Sequence, residues 1–207
     1  MRILELFCGT KSFSKVANKS LHSTCTIDID DKFEPNICID ILDFKIEMLE
    51  NFKPDVVWAS PPCTEYSKAK SRGIRKLEEA DKIVLKTLEI IKQINPKIWI
   101  IENPQTGLLK TREFMQGLPF TDCSYCKYGK PYKKQTRFWN NINLKLDTCN
   151  KDCNSFVEGR HVGSCGCGGQ GQGHKKSYSD KSYKLKEKYS IPEKLCEDIL
   201  RQMEKLI

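Results

Sequence analysis

No run of apolar residues in this 207-residue sequence approaches the roughly 18–20 residues that a membrane-spanning helix needs. We also expect no secretory leader, because Met1 and Arg2 lead directly into a predicted strand. These absences favour a soluble intracellular protein with no membrane partner. We therefore expect the 11 cysteines to be reduced, catalytic or metal-bound rather than joined in disulfides.

The charge balance is basic, with 35 Lys and Arg residues against 27 Asp and Glu residues and a net charge of +8. Much of the excess follows Leu108, which indicates a polyanionic partner approached from the C-terminal half. A Lys-rich, solvated surface would give the same balance. The length fits one catalytic core with a small appendage.

Short apolar runs alternate with amphipathic stretches through the first hundred residues. Strands are predicted over residues 3–7, 23–28, 36–40, 55–59 and 97–101, and helices over residues 11–19 and around 83–94. This alternation predicts an α/β fold with a doubly wound, mostly parallel sheet. Such sheets bind ligands at the carboxyl ends of their strands.

After Leu109 the content of Gly, Asn, Lys and Cys rises, and residues 123–134 and 148–177 are predicted to be largely irregular binding loops. A final helix is predicted over residues 187–207, with Pro192 near its first turn, packed against the sheet. The sequence thus divides into a catalytic core (1–139), a small Cys/Gly/Lys-rich nucleic-acid-binding region (140–186) and a C-terminal helix that returns to the core (187–207).

Two tripeptides stand where predicted strands end. Pro61-Pro62-Cys63 follows the apolar run 56–59, and its prolines fix φ and remove N–H donors, so the thiol is held on a rigid loop. Glu102-Asn103-Pro104 ends the next predicted strand in the same manner. The pattern predicts a Cys nucleophile and a proton-handling Glu in one site, although either tripeptide alone is equally typical of a sharp turn.

A cofactor site is predicted at the ends of the first three strands. Gly9 precedes the first helix and allows a nucleotide-like group to approach the backbone closely. Asp28 and Asp40 end the next two strands, where they can accept hydrogen bonds from a ribose and an exocyclic amine. An adenosine-containing cofactor fits this set, while helix capping is the alternative role for either acid.

Four ordered segments resemble the motifs of the cytosine carbon-5 DNA methyltransferases, particularly the compact forms of phages and large DNA viruses. The segments are Glu5-Leu6-Phe7-Cys8-Gly9, Ser60-Pro61-Pro62-Cys63, Glu102-Asn103-Pro104 and Gln135-Thr136-Arg137. The resemblance covers roughly residues 1–139, with a weaker match at 189–192. It implies the class I S-adenosylmethionine-dependent methyltransferase fold and S-adenosylmethionine as cofactor.

The resemblance also implies a mechanism and a set of site residues. Cys63 would add to carbon 6 of a cytosine flipped out of duplex DNA, Glu102 would bind N3 and the exocyclic amine, and Arg137 would contact the base carbonyl. Carbon 5 would then take the methyl group. The implied cofactor-binding residues are Phe7, Gly9, Thr10, Asp28, Ile29, Asp40, Ile41 and Pro61.

The chain departs from the family pattern at several points. Lys11 replaces a second glycine, which puts a positive-φ turn in doubt, and Trp139 stands where a second arginine is common. Because there is no room for a large target-recognition domain, we expect short or loose specificity. Two alternatives remain: an RNA cytosine methyltransferase, and a catalytically silent nucleic-acid-binding module. A viral member would act in the cytoplasm or nucleus of the host cell.

Paired cysteines suggest a structural zinc site. Cys123 and Cys126 form a C-x-x-C pair, and Cys149 and Cys153 a C-x-x-x-C pair, which are spacings that can supply tetrahedral zinc ligands. Free cysteines in loops are the alternative. Further candidate donors follow closely: His161, Cys165, Cys167 and His174.

Basic and aromatic residues interleave in the predicted binding loops, which suits a surface that contacts phosphates and stacks on bases. The predicted nucleic-acid-binding residues are Lys127, Lys130, Lys133, Lys134 and Gln135, and the same pattern includes Tyr125, Tyr128, Tyr132, Lys175, Lys176 and Tyr178. Solvated loops would have a similar composition.

Overall fold

The computed structural model of the chain describes residues 1–68, 70, 73–163 and 190–207. Within these residues, a seven-stranded sheet has the strand order β3-β2-β1-β4-β5-β7-β6. Its strands are β1 (Arg2–Leu6), β2 (Ser23–Asp28), β3 (Ile37–Cys38), β4 (Val56–Ala59), β5 (Ile98–Pro104), β6 (Phe120–Ser124) and β7 (Gln135–Asn140). A separate hairpin pairs β8 (Phe156–Val157) with β9 (Arg160–His161).

Three α-helices and several short 3₁₀ helices accompany the strands in the described residues. The α-helices are α1 (Ser12–Lys19), α2 (Leu77–Ile94) and α3 (Glu193–Glu204). The 3₁₀ helices span Asp31–Phe33, Ile46–Leu49, Leu109–Thr111, Glu113–Met115 and Tyr125–Tyr128. No helix in this part of the chain combines the length and the apolar character needed to cross a membrane.

The sheet is mostly parallel, which confirms the predicted α/β class. Strands β1 to β5 pair in parallel, whereas β7 lies antiparallel between β5 and β6. The prediction of an irregular segment over residues 123–134 is wrong at its start, because Cys123 and Ser124 belong to β6. Both side chains are fully buried, so tertiary packing selects a strand that the Lys- and Gly-rich residues after it conceal.

Hydrophobic side chains cover both faces of the sheet, as expected for parallel strands. One face packs against α1 and α3 around Phe13, Trp58 and Phe138, and the Phe13 and Trp58 rings stack 4.1 Å apart. The other face packs against α2 around Val57, with Val84 and Ile101 in the same cluster. The two layers leave the carboxyl ends of the parallel strands free for the site.

The C-terminal helix α3 begins at Glu193 rather than at the predicted residue 187, directly after Pro192. Its residues Leu195, Ile199 and Met203 join the cluster around α1. An ion pair joins Lys19 to Glu193 at 2.6 Å, and His22 Nε2 lies 2.9 Å from a carboxylate oxygen of Glu204.

The predicted domain boundary at residue 139 lies one residue before β7 ends at Asn140. The region beyond it is described up to residue 163. Residues 164–189, with the predicted sites Cys165, Cys167, His174, Lys175, Lys176 and Tyr178, lie outside the described residues.

Candidate active site

The loops that carry Cys63 and Glu102 leave the sheet side by side. Strands β4 and β5 pair in parallel with Ala59 opposite Ile101, so both chains emerge from the same edge. The side-chain amide of the fully buried Asn103 then donates a hydrogen bond to the carbonyl oxygen of Pro61 at 2.9 Å. This bond ties the end of β5 directly to the Pro61-Pro62-Cys63 loop.

The same loop is anchored again three residues after the thiol. The fully buried Tyr66 donates a hydrogen bond from its hydroxyl to Asp81 on α2 at 2.8 Å, and Arg112 pairs with the same carboxylate. A β-carbon at Gly107 would lie 3.1 Å from the carbonyl oxygen of Pro104 and 3.4 Å from that of Tyr66, so this close approach favours glycine. Sequence analysis missed these supporting residues.

Burial shifts the pKa values of both reactive groups in the direction that favours their neutral forms. Burial raises the pKa of the Cys63 thiol, the nearby Glu102 raises it further, and Lys134 acts in the opposite direction. Burial also raises the pKa of Glu102, against the effects of Lys134 and of a hydrogen bond from Tyr125. A protonated carboxyl group beside a thiol can supply a proton to a bound base.

Tyr125 and Lys134 are part of this site, although the sequence indicated only a surface role for them. The fully buried Tyr125 donates a hydrogen bond from its hydroxyl to Glu102 Oε1 at 3.2 Å. The Nζ atom of Lys134 lies 4.9 Å from the centre of the Tyr125 ring, within cation–π range. A backbone bond of 3.1 Å from Tyr125 N to Lys134 O closes the connection between β6 and β7.

The structure does not bring Arg137 to Glu102. Arg137 lies opposite Asn103 in the β5–β7 pair, and Phe138 lies opposite Glu102, so alternation along the strands puts Arg137 on the other face of the sheet. Its guanidinium donates two hydrogen bonds to the carboxylate of Asp122, at 2.7 and 2.8 Å. The cation that acts on Cys63 and Glu102 is instead Lys134.

The predicted cofactor loop makes its tight turn without a second glycine. Phe7, Gly9 and Lys11 all have positive φ, at 58°, 44° and 54°. Lys11 adopts the left-handed conformation immediately before α1, and its side-chain Nζ donates to the carbonyl oxygen of Glu34. The turn that the Lys11 substitution put in doubt is therefore present.

Asp28 and Asp40, which were predicted to bind a ribose and an exocyclic amine, both accept hydrogen bonds from nearby backbone N–H groups. Asp28 accepts from the backbone N–H groups of Gly9 at 2.8 Å and of Asp30 at 3.0 Å, and Asp40 accepts from Leu42 N at 2.9 Å. Because Leu42 lies in a turn and the next helix begins at Ile46, the Asp40 contact stabilises a turn and is not the helix-capping role considered as the alternative. Each carboxylate retains further lone pairs for a ligand.

The remaining predicted cofactor residues line the neighbouring loops. Ile29 is 66% exposed beside Asp28, whereas Ile41 and Pro61 are buried. Thr10 Oγ1 lies 2.8 Å from Ser12 Oγ at the start of α1. Carboxylate acceptors next to an exposed apolar side chain fit the ribose and adenine of S-adenosylmethionine.

A second cluster consists of four side chains that could bind a metal ion. The Sγ atoms of Cys126, Cys149 and Cys153 and a ring nitrogen of His161 all lie within 4.8 Å of one another. Cys123, which was predicted to be a ligand, is not among them, because it lies on β6 with its side chain in the core. His161 occupies the fourth position instead.

The predicted nucleic-acid-binding lysines all make contacts within the protein. Lys127 pairs with Asp152 at 2.9 Å, Lys133 donates to the carbonyl oxygen of Cys149 at 2.9 Å, and Lys130 donates to Ser190 Oγ at 3.2 Å. Gln135 is exposed at the start of β7. These contacts fix the basic segment against the fold.

Comparison with known proteins identifies the family. A family model described as C-5 cytosine-specific DNA methylase matches residues 1–116. The protein named "Probable DNA (cytosine-5)-methyltransferase" of Frog virus 3 (isolate Goorha) is 33% identical over 198 residues, with 83% of this chain and 89% of that protein covered.

Solved structures share the fold. A prophage-encoded protein of E. coli, described as a DNA modification methyltransferase, matches with a TM-score of 0.53 and 16% identity over 68% of this chain and 46% of its own. The Entamoeba histolytica methyltransferase EhMeth matches with a TM-score of 0.50 and 14% identity, over 72% of this chain and 56% of its own. The chain thus spans about half the length of these two structures. Its sequence matches show that it belongs to the C-5 cytosine-specific DNA methylases, a family of DNA (cytosine-5)-methyltransferases.

Proposed function

We propose that this chain methylates carbon 5 of cytosine in DNA, with S-adenosylmethionine as donor, Cys63 as the nucleophile and Glu102 as the acid. The observation that carries the proposal is the joining of the Cys63 loop to the end of β5 by the bond between Asn103 and Pro61. Family membership supports the cytosine and the donor.

Cytosine needs activation because its carbon 5 is a weak nucleophile. Cys63 would give its proton to solvent and its sulfur would add to carbon 6, while Glu102 would transfer its proton to N3, so that the electrons pushed into the ring form a neutral enamine. Carbon 5 would then take the methyl group, with S-adenosylhomocysteine as the leaving group. Loss of the carbon-5 proton to a base, release of the Cys63 thiolate and return of the N3 proton to Glu102 would restore the aromatic ring.

The raised pKa of Glu102 suits this role, because the shift favours the protonated carboxyl group, which can donate its proton to N3. S-adenosylmethionine supplies the electrophilic methyl group. The loop around Gly9 would hold this cofactor, with Asp28 and Asp40 as acceptors for its hydroxyl and amine groups and Ile29 against its adenine.

The target base would leave the DNA stack, since carbon 6 is not accessible to a thiol inside a duplex. Lys127, Lys130 and Lys133 would contact the phosphates near the site, and the net charge of +8 supports such a partner. By analogy with the Frog virus 3 relative, we expect activity in the cytoplasm or nucleus of an infected cell.

Transfer of tritiated methyl groups to duplex DNA, single-stranded DNA and RNA tests the proposal. We expect transfer to duplex DNA, and a trapped covalent complex on DNA that contains 5-fluorocytosine. Cys63→Ala should abolish both, whereas the exposed Cys38→Ala should resemble the wild type. Transfer to RNA alone would support the RNA alternative. Folded protein that neither binds S-adenosylmethionine nor transfers methyl groups would support the silent binding module.

A further inference from the structure

The three cysteines and the histidine of the second cluster lie close enough to bind one metal ion. His161 Nε2 lies 3.5 Å from Cys149 Sγ and 3.3 Å from Cys153 Sγ, and all four ligand atoms lie within 4.8 Å of one another. Ligands around a tetrahedral zinc ion, with zinc–sulfur distances of ~2.3 Å and zinc–nitrogen distances of ~2.0 Å, stand about 3.5 Å apart. The two distances from His161 match that spacing.

The ligands come from separate parts of the chain. Cys126 lies in the 3₁₀ helix Tyr125–Tyr128, Cys149 and Cys153 lie in the loop after β7, and His161 ends the hairpin strand β9. All three thiols are buried and free of disulfides. Thiolate and imidazole ligands together select zinc over magnesium or calcium.

The hairpin beside the cluster is short and has few hydrophobic contacts with it. The β8–β9 hairpin has two residues in each strand, and the side chain packed against the three cysteines is Phe156. The ring of Phe156 also meets the edge of the His161 ring at 5.3 Å, which orients the imidazole. A hairpin of this size is marginal in water without a further constraint. A bound metal supplies one, because its binding energy adds to folding energy.

The cluster is joined to the candidate active site through the connection between β6 and β7. Cys126 directly follows Tyr125, whose hydroxyl contacts Glu102. Ser124 accepts a 3.1 Å hydrogen bond from Cys149 N, and Lys133 donates to Cys149 O at 2.9 Å. The loop that carries the cysteines is thus bonded to both ends of the segment that presents Tyr125.

We infer that Cys126, Cys149, Cys153 and His161 bind one structural Zn²⁺, and that this ion orders residues 125–134 so that Tyr125 reaches Glu102. The consequence for catalysis rests on the proposed function. Zinc binding and the ordering of this segment do not.

Zinc content of the full chain, purified without chelators, tests the site. We expect about one equivalent in the wild type and in Cys38→Ser, an exposed cysteine outside the cluster, and a loss of at least about fivefold in Cys149→Ser and His161→Ala. His161→Cys should retain the metal, because four thiolates also form a tetrahedral site. This variant keeps the test decisive if Cys149→Ser does not fold.

Two results would overturn the assignment. The first is wild-type protein that retains less than about half an equivalent after loading with zinc and dialysis. The second is retention of wild-type zinc levels by both Cys149→Ser and His161→Ala.

Hydrogen exchange tests the ordering separately. Removing zinc with a chelator should speed amide exchange in residues 125–134 by about tenfold or more, while the amides of β1 and β4 stay protected. Unchanged exchange in this segment after the metal has left would refute the ordering role. Neither readout uses methyl transfer, so a failure of the proposed function would leave both results interpretable.

Discussion

Asn103 donates a hydrogen bond from its side-chain amide to the carbonyl oxygen of Pro61 at 2.9 Å. Asn103 is fully buried and stands next to Glu102 in β5, while Pro61 stands two residues before Cys63. Two consecutive prolines cannot continue the hydrogen-bonding pattern of the sheet, so the Pro61 carbonyl group has no partner in a regular strand pair. A side chain from the neighbouring strand donates to it instead.

Asn103→Leu roughly keeps the size and branching of the side chain and removes this donor. We expect a folded protein that has lost roughly 1–3 kcal/mol of stability, because a buried carbonyl group loses its partner. Single-turnover methyl transfer should fall by at least about tenfold, since the thiol and the carboxyl group are no longer held together. Calorimetric titration should give an unchanged affinity for S-adenosylmethionine. A variant with wild-type single-turnover rates would contradict the positioning role.

Tyr125→Phe removes the hydroxyl that contacts Glu102 and leaves the ring in place. We expect the single-turnover rate to fall about 5- to 20-fold, as for the loss of one hydrogen bond to a reacting group. Tyr128→Phe is the matched control, because Tyr128 belongs to the same 3₁₀ helix but bonds to Asp147 N instead. Equal rates in the two variants would show that the contact with Glu102 is not used.

The alkylation of Cys63 should depend on pH in a defined direction. Burial and Glu102 raise the pKa of this thiol above its usual value of 9.0, so little reactive thiolate is present at neutral pH. The rate of iodoacetamide labelling of the Cys63 peptide, followed by mass spectrometry, should therefore still be rising above pH 9. Lys134→Met should move the rise to higher pH, because the Lys134 charge lowers the pKa. The exposed Lys92→Met serves as the control. Rapid labelling that reaches a plateau below pH 8 would contradict the assignment.

Glu5 should make the protein less stable as the pH rises. Its carboxyl group is buried in β1 and accepts hydrogen bonds from the backbone and side chain of Ser14, and burial raises its pKa from 4.5 to about 7. The folded state holds this proton more tightly than the unfolded state, so the stabilisation is complete below pH 4.5 and is lost as the pH rises through 7.

The free energy of unfolding should fall over this interval by roughly 3 kcal/mol through Glu5 alone. Urea denaturation of the wild type and of Glu5→Gln across this range gives the difference between them, which isolates Glu5 from the other titrating groups. Parallel pH profiles for the two proteins would refute this account.

The parallel half of the sheet could be predicted because its strands are short runs rich in apolar and β-branched residues that end near proline, glycine or aspartate. The Pro61-Pro62-Cys63 and Glu102-Asn103-Pro104 turns share that local chemistry, so the meeting of Cys63 and Glu102 could be predicted. The roles of Arg137 and Lys134 could not, because they depend on β7 inserting antiparallel between β5 and β6. The register of that pair decides which side chains face Glu102.

The ligands of the proposed zinc site also could not be predicted completely from the sequence. The spacing of the cysteines indicated zinc, but the spacing alone gave Cys123 and Cys126 equal standing. Burial of Cys123 in β6 removes it from the cluster, and the β8–β9 hairpin brings His161 into its place. A two-residue strand has too little periodicity to be detected in the sequence.

The left-handed conformation of Lys11 has a consequence for how relatives of this chain are found. A residue with a β-carbon in this conformation costs about 1–2 kcal/mol, which is small beside the total of the interactions that fix the loop. The backbone turn therefore survives the loss of the glycine that usually marks it. The fold therefore tolerates residues other than glycine at this position. A sequence profile that requires glycine here would reject divergent relatives whose cofactor loop has the same backbone conformation.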